Sequence, residues 1–319
     1  MTNAKITTSN IPVIETLRGI AASMVCLFHF ACGNPDFISN GNVFKQVASN
    51  GWLGVEIFFV ISGFVVPYSM YKNGYQLLNF PRFLLRRLLR LEPPYLLSII
   101  GVLILNYLAT LTSIYRGQDF VLDPIQISLH AGYLIAFFPG YNWLNPAYWT
   151  LAIEFQYYFI LGLLFVLINH RLLAFFWSGS LVLLLLSFIV SSDRHFFHYS
   201  PYFVLGFVLF RKLERGLPEL HFYSLSLMVF GLIYYQKGID TLLASLVPFL
   251  LIRFVPDWNP KPLKFLGMIS YSMYLLHGPF AGRIINLSTR FVVGDSLRIG
   301  IVVIAFILVC YVLRILFID

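Results

Sequence analysis

Eight ionisable side chains stand inside otherwise apolar stretches of this sequence: Glu15, Arg18, His29, Glu56, Glu154, His277, Arg283 and Arg298. A charge at the centre of a membrane helix costs on the order of 3 kcal/mol, so such residues usually face a cavity or a partner. Arg18 and His29 are eleven residues apart, which at 3.6 residues per turn returns to nearly the same helix face about 16 Å further along. Both could therefore line one cavity. Glu15 lies one turn before Arg18 and could pair with it. His29, Glu56, Glu154 and His277 are expected at similar depth, in the middle or outer half of the bilayer. An imidazole there is a candidate proton acceptor. Buried Glu and His side chains would equally suit a proton relay, so a proton-coupled secondary transporter is the competing reading. A non-catalytic scaffold would leave these charges unexplained.

The elements that must position these groups are membrane helices. The chain is 59% hydrophobic and 11% charged, with 32 Phe and 19 Tyr, against about 25% charged residues in an ordinary soluble domain. Apolar blocks near twenty residues long match the span of about 30 Å of hydrocarbon. They fall near 11–31, 52–71, 92–115, 146–169, 171–190, 196–212, 222–236, 239–254, 264–288 and 296–317. The fold predicted is all-α, a polytopic transmembrane helical bundle of about ten spans, forming a single domain over 1–319. The first block is too long and lacks a small-residue cleavage pattern, so a retained span is expected and not a signal peptide.

Lys and Arg gather in alternate connections. Lys72, Arg82, Arg86, Arg87, Arg90, Arg171, Arg215 and Lys261 fall on one side, against Lys45, Arg116, Arg194, Lys237 and Arg290 on the other. Cytoplasmic loops are enriched in these residues, which predicts both termini in the cytoplasm. The net charge of +8 is thereby explained without nucleic acid. Cys26, Cys32 and Cys310 show no metal-type spacing, and neither a disulfide framework nor a metal site is expected.

Two loop regions stand out. Residues 81–91, Pro-Arg-Phe-Leu-Leu-Arg-Arg-Leu-Leu-Arg-Leu, precede Pro93-Pro94 and predict a short helix lying flat at the cytoplasmic interface. Its arginines could contact anionic lipid headgroups or clamp the phosphates of a ligand. The outer loop, about 116–145, contains a weakly apolar piece, His130 to Phe138, too short to span; it could re-enter the membrane or cap a cavity. Ser62-Gly63 in the second block offers close backbone approach, most simply for helix packing.

Taken in order, these pieces form a pattern. Leu17-Arg18-Gly19-Ile20-Ala21-Ala22 is followed by His29. Gly54-Val55-Glu56-Ile57-Phe58-Phe59 runs into Ser62-Gly63-Phe64, and Arg87-Leu88-Leu89-Arg90 follows. Then come Trp149-Thr150-Leu151 with Glu154, and Ser270-Tyr271-Ser272-Met273-Tyr274-Leu275 with His277. The chain resembles, over nearly its whole length, the acyltransferase-three family of bacterial inner-membrane O-acyltransferases that modify surface polysaccharides. Thr16 stands where Gly is common and Glu56 where Asp is common, and no appended hydrolase-like domain follows the tenth block.

The resemblance implies transfer of an acyl group, most often acetyl, from cytoplasmic acyl-CoA to a hydroxyl of an extracytoplasmic or lipid-linked sugar. It makes Arg18 and His29 essential and puts Arg87 and Arg90, with Arg86 beside them, on the donor side. The chemistry agrees: a sugar hydroxyl is a poor nucleophile, and a positioned His base is worth about 10² to 10⁴ in rate. His29 is the candidate base, with Glu154 as a possible orienter of its imidazole. Transient acylation of His29 itself is the variant reading. Ser62, Tyr274 and His277, with Glu15 and Glu56, are candidates to line the site or to stabilise an oxyanion. The expected partners are the sugar acceptor and membrane lipids.

Overall fold

A computed structural model describes residues 11–112 and 120–317; the positively charged Arg116 and the start of the outer loop lie outside the described residues. Among the described residues every regular element is helical. The helices are α1 (Val13–Cys32), α2 (Val43–Ala48), α3 (Gly54–Lys72), α4 (Phe80–Thr110), α5 (Pro124–Ala131), α6 (Tyr148–Ile168) and α7 (Leu173–Ile189). They continue as α8 (Phe196–Arg215), α9 (Glu219–Lys237), α10 (Ile239–Phe254), α11 (Lys261–Leu276), α12 (Arg283–Ser288) and α13 (Asp295–Phe317). Each of the ten apolar blocks thus contains a helix. Five segments are long and apolar enough to cross a membrane: Val13–Cys32, Val43–Lys72, Leu77–Thr110, Tyr148–Ile168 and Asp295–Leu316. Apolar faces point outward, as in α13, where Ile304, Ile307, Leu308 and Val312 are each about half exposed. Water would penalise such a face; hydrocarbon does not.

Two crossings set the core, and both depend on missing Cβ atoms. Where α3 meets α8, a Cβ on Gly63 would lie 2.3 Å from the Phe203 carbonyl oxygen and one on Gly206 would lie 2.2 Å from that of Val60. Where α1 meets α11, a Cβ on Gly267 would lie 2.1 Å from the Glu15 carbonyl oxygen. Small residues at these points let the backbones touch, the usual source of helix association where lipid removes the hydrophobic incentive. Around the α3–α8 crossing Phe64, Phe203, Leu209 and Phe210 are buried in one cluster.

The flat interfacial helix expected over 81–91 is not a separate element. Residues 80–110 form one continuous helix that runs through Pro93 and Pro94. Two adjacent prolines remove two backbone donors, yet the carbonyls they orphan belong to Leu89 and Arg90, near the exposed end of the rod. The next carbonyl, that of Leu91, accepts the Tyr271 hydroxyl at 2.7 Å, which ties this stretch to α11. The arginine segment is therefore rigidly continuous with the helix behind it.

The loop piece 130–138, expected to cap a cavity or re-enter the membrane, packs against α4 and α6. Asp123 accepts from the N–H groups of Ile125 and Gln126 and so starts α5. The turn after it buries Tyr133 and Ile135. Tyr133 stacks between Tyr95 and Phe155 with ring centroids 5.0 and 4.9 Å apart. Arg194 reaches over from before α8 toward the carbonyls of Ile135, Phe138 and Tyr141.

Candidate active site

Successive long helices alternate in direction, so the start of α1, the ends of α3 and α8 and the start of α4 gather at one end of the bundle. The Lys72–Glu214 ion pair, 2.7 Å, joins α3 and α8 there. At this end a cavity of about 290 Å³ is lined by Arg18, Arg87, Arg90, Ser62, Glu154 and Tyr158, with Glu15 at its edge. Arg87 and Arg90 also line an adjoining mouth of about 400 Å³, where Arg82 and Arg86 join them. Among the described residues none of these arginines has a carboxylate within ion-pair distance. Arg90 and Arg87 both act electrostatically on Arg18, as does Glu154 with the opposite sign. Like charges gathered around a cavity make it a receptor for an anion, and guanidinium forks suit phosphate.

Glu154 sits deeper in the same cavity. Its Oε1 accepts from Ser62 Oγ at 3.2 Å and from the Tyr158 hydroxyl one turn along α6. Arg87 lies over the rings of Phe83 and Tyr158, 5.5 and 5.2 Å from their centroids. Two expectations are corrected here. Glu15 does not pair with Arg18, whose electrostatic neighbours are Arg90, Glu154, Tyr158 and Arg87. Nor does Glu154 orient His29, because its hydrogen bonds go to Ser62 and Tyr158 and it lines the other cavity.

His29 lines a second cavity of about 360 Å³ toward the opposite end of the bundle, together with Trp52, Glu56, Trp149, Tyr199 and Lys237. Arg18 and His29 do lie on one side of α1, but they open into two adjoining spaces and not a shared one. Val55 and Tyr274 line both. Phe58 packs edge-on to Tyr274, ring centroids 5.7 Å apart, and Thr150 donates to the Tyr274 hydroxyl at 2.8 Å. These side chains form the partition.

The partner of His29 is His277. His29 Nδ1 lies 2.8 Å from His277 Nε2, and His277 Nδ1 lies 3.0 Å from the Met273 carbonyl oxygen. The carbonyl end fixes every proton in this chain. A carbonyl only accepts, so His277 Nδ1 carries hydrogen; with both rings neutral, His277 Nε2 must accept and His29 Nδ1 must donate. His29 Nε2 then holds a free lone pair on a side chain that lines the cavity. This is the tautomer a general base requires.

The backbone around His277 is built for this placement. Residues 277–282 form a π-helical turn, a local widening that recurs at functional sites. Pro279 has no N–H, so the Leu275 carbonyl loses its helical donor. Asn145 Nδ2 at 3.2 Å and Ser98 Oγ at 3.4 Å replace it. Sequence reasoning did not assign Asn145, Ser98 or Lys237 to the site; the helix-breaking Pro279, two residues after His277, is the signal that could have pointed to Asn145 and Ser98.

The other membrane-depth cations have structural partners. Arg283 donates to the Leu105 carbonyl at 2.8 Å and to Asn106, and Arg298 to the carbonyls of Phe37, Asp36 and Val292. Among the described residues no three His, Cys, Asp or Glu side chains converge as a metal site would require.

Comparison with known proteins agrees with this arrangement. The acyltransferase-three family model, described as an acyltransferase domain, matches residues 11–315. The proposed membrane-bound transacylase BcsY of Komagataeibacter xylinus is 27% identical over 297 residues, covering 83% of this chain and 72% of that protein. A proposed O-acetyltransferase of Staphylococcus aureus (strain COL) is 26% identical over 316 residues, covering 84% of this chain and 50% of the relative. The O-acetyltransferase OatA of Staphylococcus aureus (strain NCTC 8325 / PS 47) is 28% identical over 179 residues, half of this chain and 26% of OatA. The chain thus spans about half the length, or less, of the staphylococcal relatives it matches. No solved structure matches it.

Proposed function

The chain belongs to the acyltransferase-three family, and from that premise we propose that it transfers an acyl group, acetyl in the simplest case, from cytoplasmic acyl-CoA to a hydroxyl of an extracytoplasmic or lipid-linked sugar. Its setting is the inner membrane of a bacterium, which it crosses about ten times with both termini in the cytoplasm, residues 11–315 acting as one transmembrane domain. The observation that carries the reading is the hydrogen-bonded chain from Met273 through His277 to His29, beside a cavity lined by arginines that have no carboxylate within ion-pair distance among the described residues.

In this reading Arg82, Arg86, Arg87 and Arg90 hold the donor's phosphates at the mouth, and Arg18 holds the deeper part. The thioester reaches past Tyr274 toward His29. The acceptor hydroxyl oxygen attacks the thioester carbonyl carbon while His29 Nε2 takes its proton. The oxygen–carbon bond forms, the carbon–sulfur bond breaks, and the sulfur leaves as CoA thiol carrying that proton from His29. His277 is a positioning residue: it holds the reactive tautomer, as the third member of a hydrolytic triad does. Tyr274 supplies a hydroxyl at the partition that suits a developing oxyanion, whereas the Ser62 hydroxyl already donates to Glu154.

The test is His29→Ala in purified protein supplied with acetyl-CoA and a membrane extract as acceptor. Thiol release is expected to fall about 10² to 10⁴-fold while acyl-CoA still binds. Near-normal turnover by a well-folded His29→Ala protein would move the base elsewhere. A parent protein that never consumes the thioester would instead favour transport.

A further inference from the structure

The second cavity holds more than His29 needs. Glu56 lines it from α3 and is 5% exposed, yet its Oε2 has no hydrogen-bond partner. A buried carboxylate oxygen without a donor is costly, and native proteins rarely leave one so. A ligand hydroxyl entering the cavity would satisfy it. The cavity walls are aromatic: Trp149 and Tyr199 lie 5.2 Å apart, inclined at 34°, and Trp52 stands 40% exposed at the rim. Flat apolar faces beside a few placed polar groups are what a sugar ring needs, since it presents C–H faces and O–H edges. Lys237 also lines the space, but its ammonium is held by His198 and offset by Glu56, so the pair asks for no net charge. At about 360 Å³ the cavity falls in the ordinary size range of small-molecule sites, about 300–1,000 Å³.

We propose that this cavity is the acceptor site, that it takes an uncharged pyranose ring against Trp52, Trp149 and Tyr199, and that Glu56 accepts a hydrogen bond from a ring hydroxyl beside the one delivered to His29. The proposal rests on the acyl-transfer reading above and adds the acceptor's subsite and Glu56 as its specificity-determining residue. Glu56 does not move the transferred proton. It selects the ring orientation in which one hydroxyl meets Nε2, so its loss weakens acceptor binding and broadens the position acylated.

The experiment uses the full chain in detergent with acetyl-CoA and four probes: the methyl pyranosides of glucose, galactose, mannose and 2-acetamido-2-deoxyglucose. Thiol release gives KM for each sugar and for the donor, and tryptophan fluorescence gives sugar affinity without chemistry. Glu56→Gln is expected to raise the sugar KM about tenfold to a hundredfold, the range for losing a hydrogen bond to a charged group, with the donor KM within twofold of the parent. Trp52→Ala, at the partly exposed rim, is expected to raise the sugar KM as well. Unchanged sugar KM in folded Glu56→Gln, or in Trp52→Ala should the first variant misfold, overturns the proposal. So does a parent protein that acylates a membrane extract yet neither binds nor acylates any of the four sugars. Saturable sugar binding without thioester consumption would instead defeat the acyl-transfer reading and leave the sugar site standing.

Discussion

Replacing His277 with methionine removes the ring nitrogen that His29 Nδ1 touches at 2.8 Å while keeping an apolar side chain in a site only 1% exposed. His29 then has two choices. It can keep hydrogen on Nδ1, a donor then left with only the Val25 carbonyl of its own helix, at a cost of about 1 kcal/mol. Or it can move that hydrogen to Nε2, which ends its use as a base. Either way the reactive form is disfavoured by about that amount, and at 1.4 kcal/mol per tenfold kcat should fall about fivefold. His29→Ala, which removes the base outright, should lose about 10² to 10⁴. His277→Gln separates orientation from packing, because its side-chain carbonyl can accept from His29 Nδ1 and should restore part of the rate. The assay is thiol release at saturating donor and acceptor, with size-exclusion elution and thermal midpoint as folding controls. A folded His277→Met protein within twofold of the parent would refute the relay, and so would equal losses in the Met and Gln variants.

Arg87→Ala with Arg90→Ala removes two of the guanidiniums shared by the cavity and its mouth; acyl-CoA affinity, by isothermal titration, should weaken about tenfold or more with insertion intact. For topology, Asp240→Cys in the first turn of α10 should react with an impermeant maleimide in intact cells, and Pro218→Cys before α9 should not; the reverse result inverts the proposed orientation. The third concerns His130 on α5, whose Nδ1 donates to the Gln126 carbonyl at 2.9 Å while its Nε2 accepts from the Leu144 N–H at 3.1 Å. Burial pushes its pKa below the ordinary imidazole value of 6.5, so the unfolded segment binds the proton first. Stability should be flat above pH 6.5 and fall as pH drops through the window below it. Thermal midpoints at pH 7.5 and 5.5 should differ in the parent and differ less in His130→Phe.

Periodicity and composition carried the helices. Blocks such as 239–254 coincide with the observed element, and the charge-bearing positions in them were visible because hydrocarbon tolerates so few. What spacing conveys is the face and depth of a residue on its own helix. It does not say which helix stands opposite. That is why Glu154 was matched to His29, when α6 in fact turns it toward Ser62 and α11 presents His277 instead. The arginine segment was misjudged for a different reason. Pro93-Pro94 reads as a break in water, but the orphaned carbonyls lie at an exposed end and a tyrosine from α11 serves the next one, so α4 continues. Likewise the π-helical turn at His277 arises from the replacement of one lost donor by Asn145 and Ser98, residues more than a hundred positions away.

The partition of Val55, Phe58 and Tyr274 has an electrical consequence. The two cavities approach each other from opposite ends and are separated by these side chains, so in the proposed orientation a large share of the membrane voltage should drop across them. Each elementary charge carried through the partition exchanges about 2.3 kcal/mol per 100 mV with the field. A neutral acyl group exchanges nothing. In the proposed reaction, where Arg87 and Arg90 hold the donor's phosphates on one side, only the uncharged end of the molecule passes Tyr274, and turnover should be independent of membrane potential.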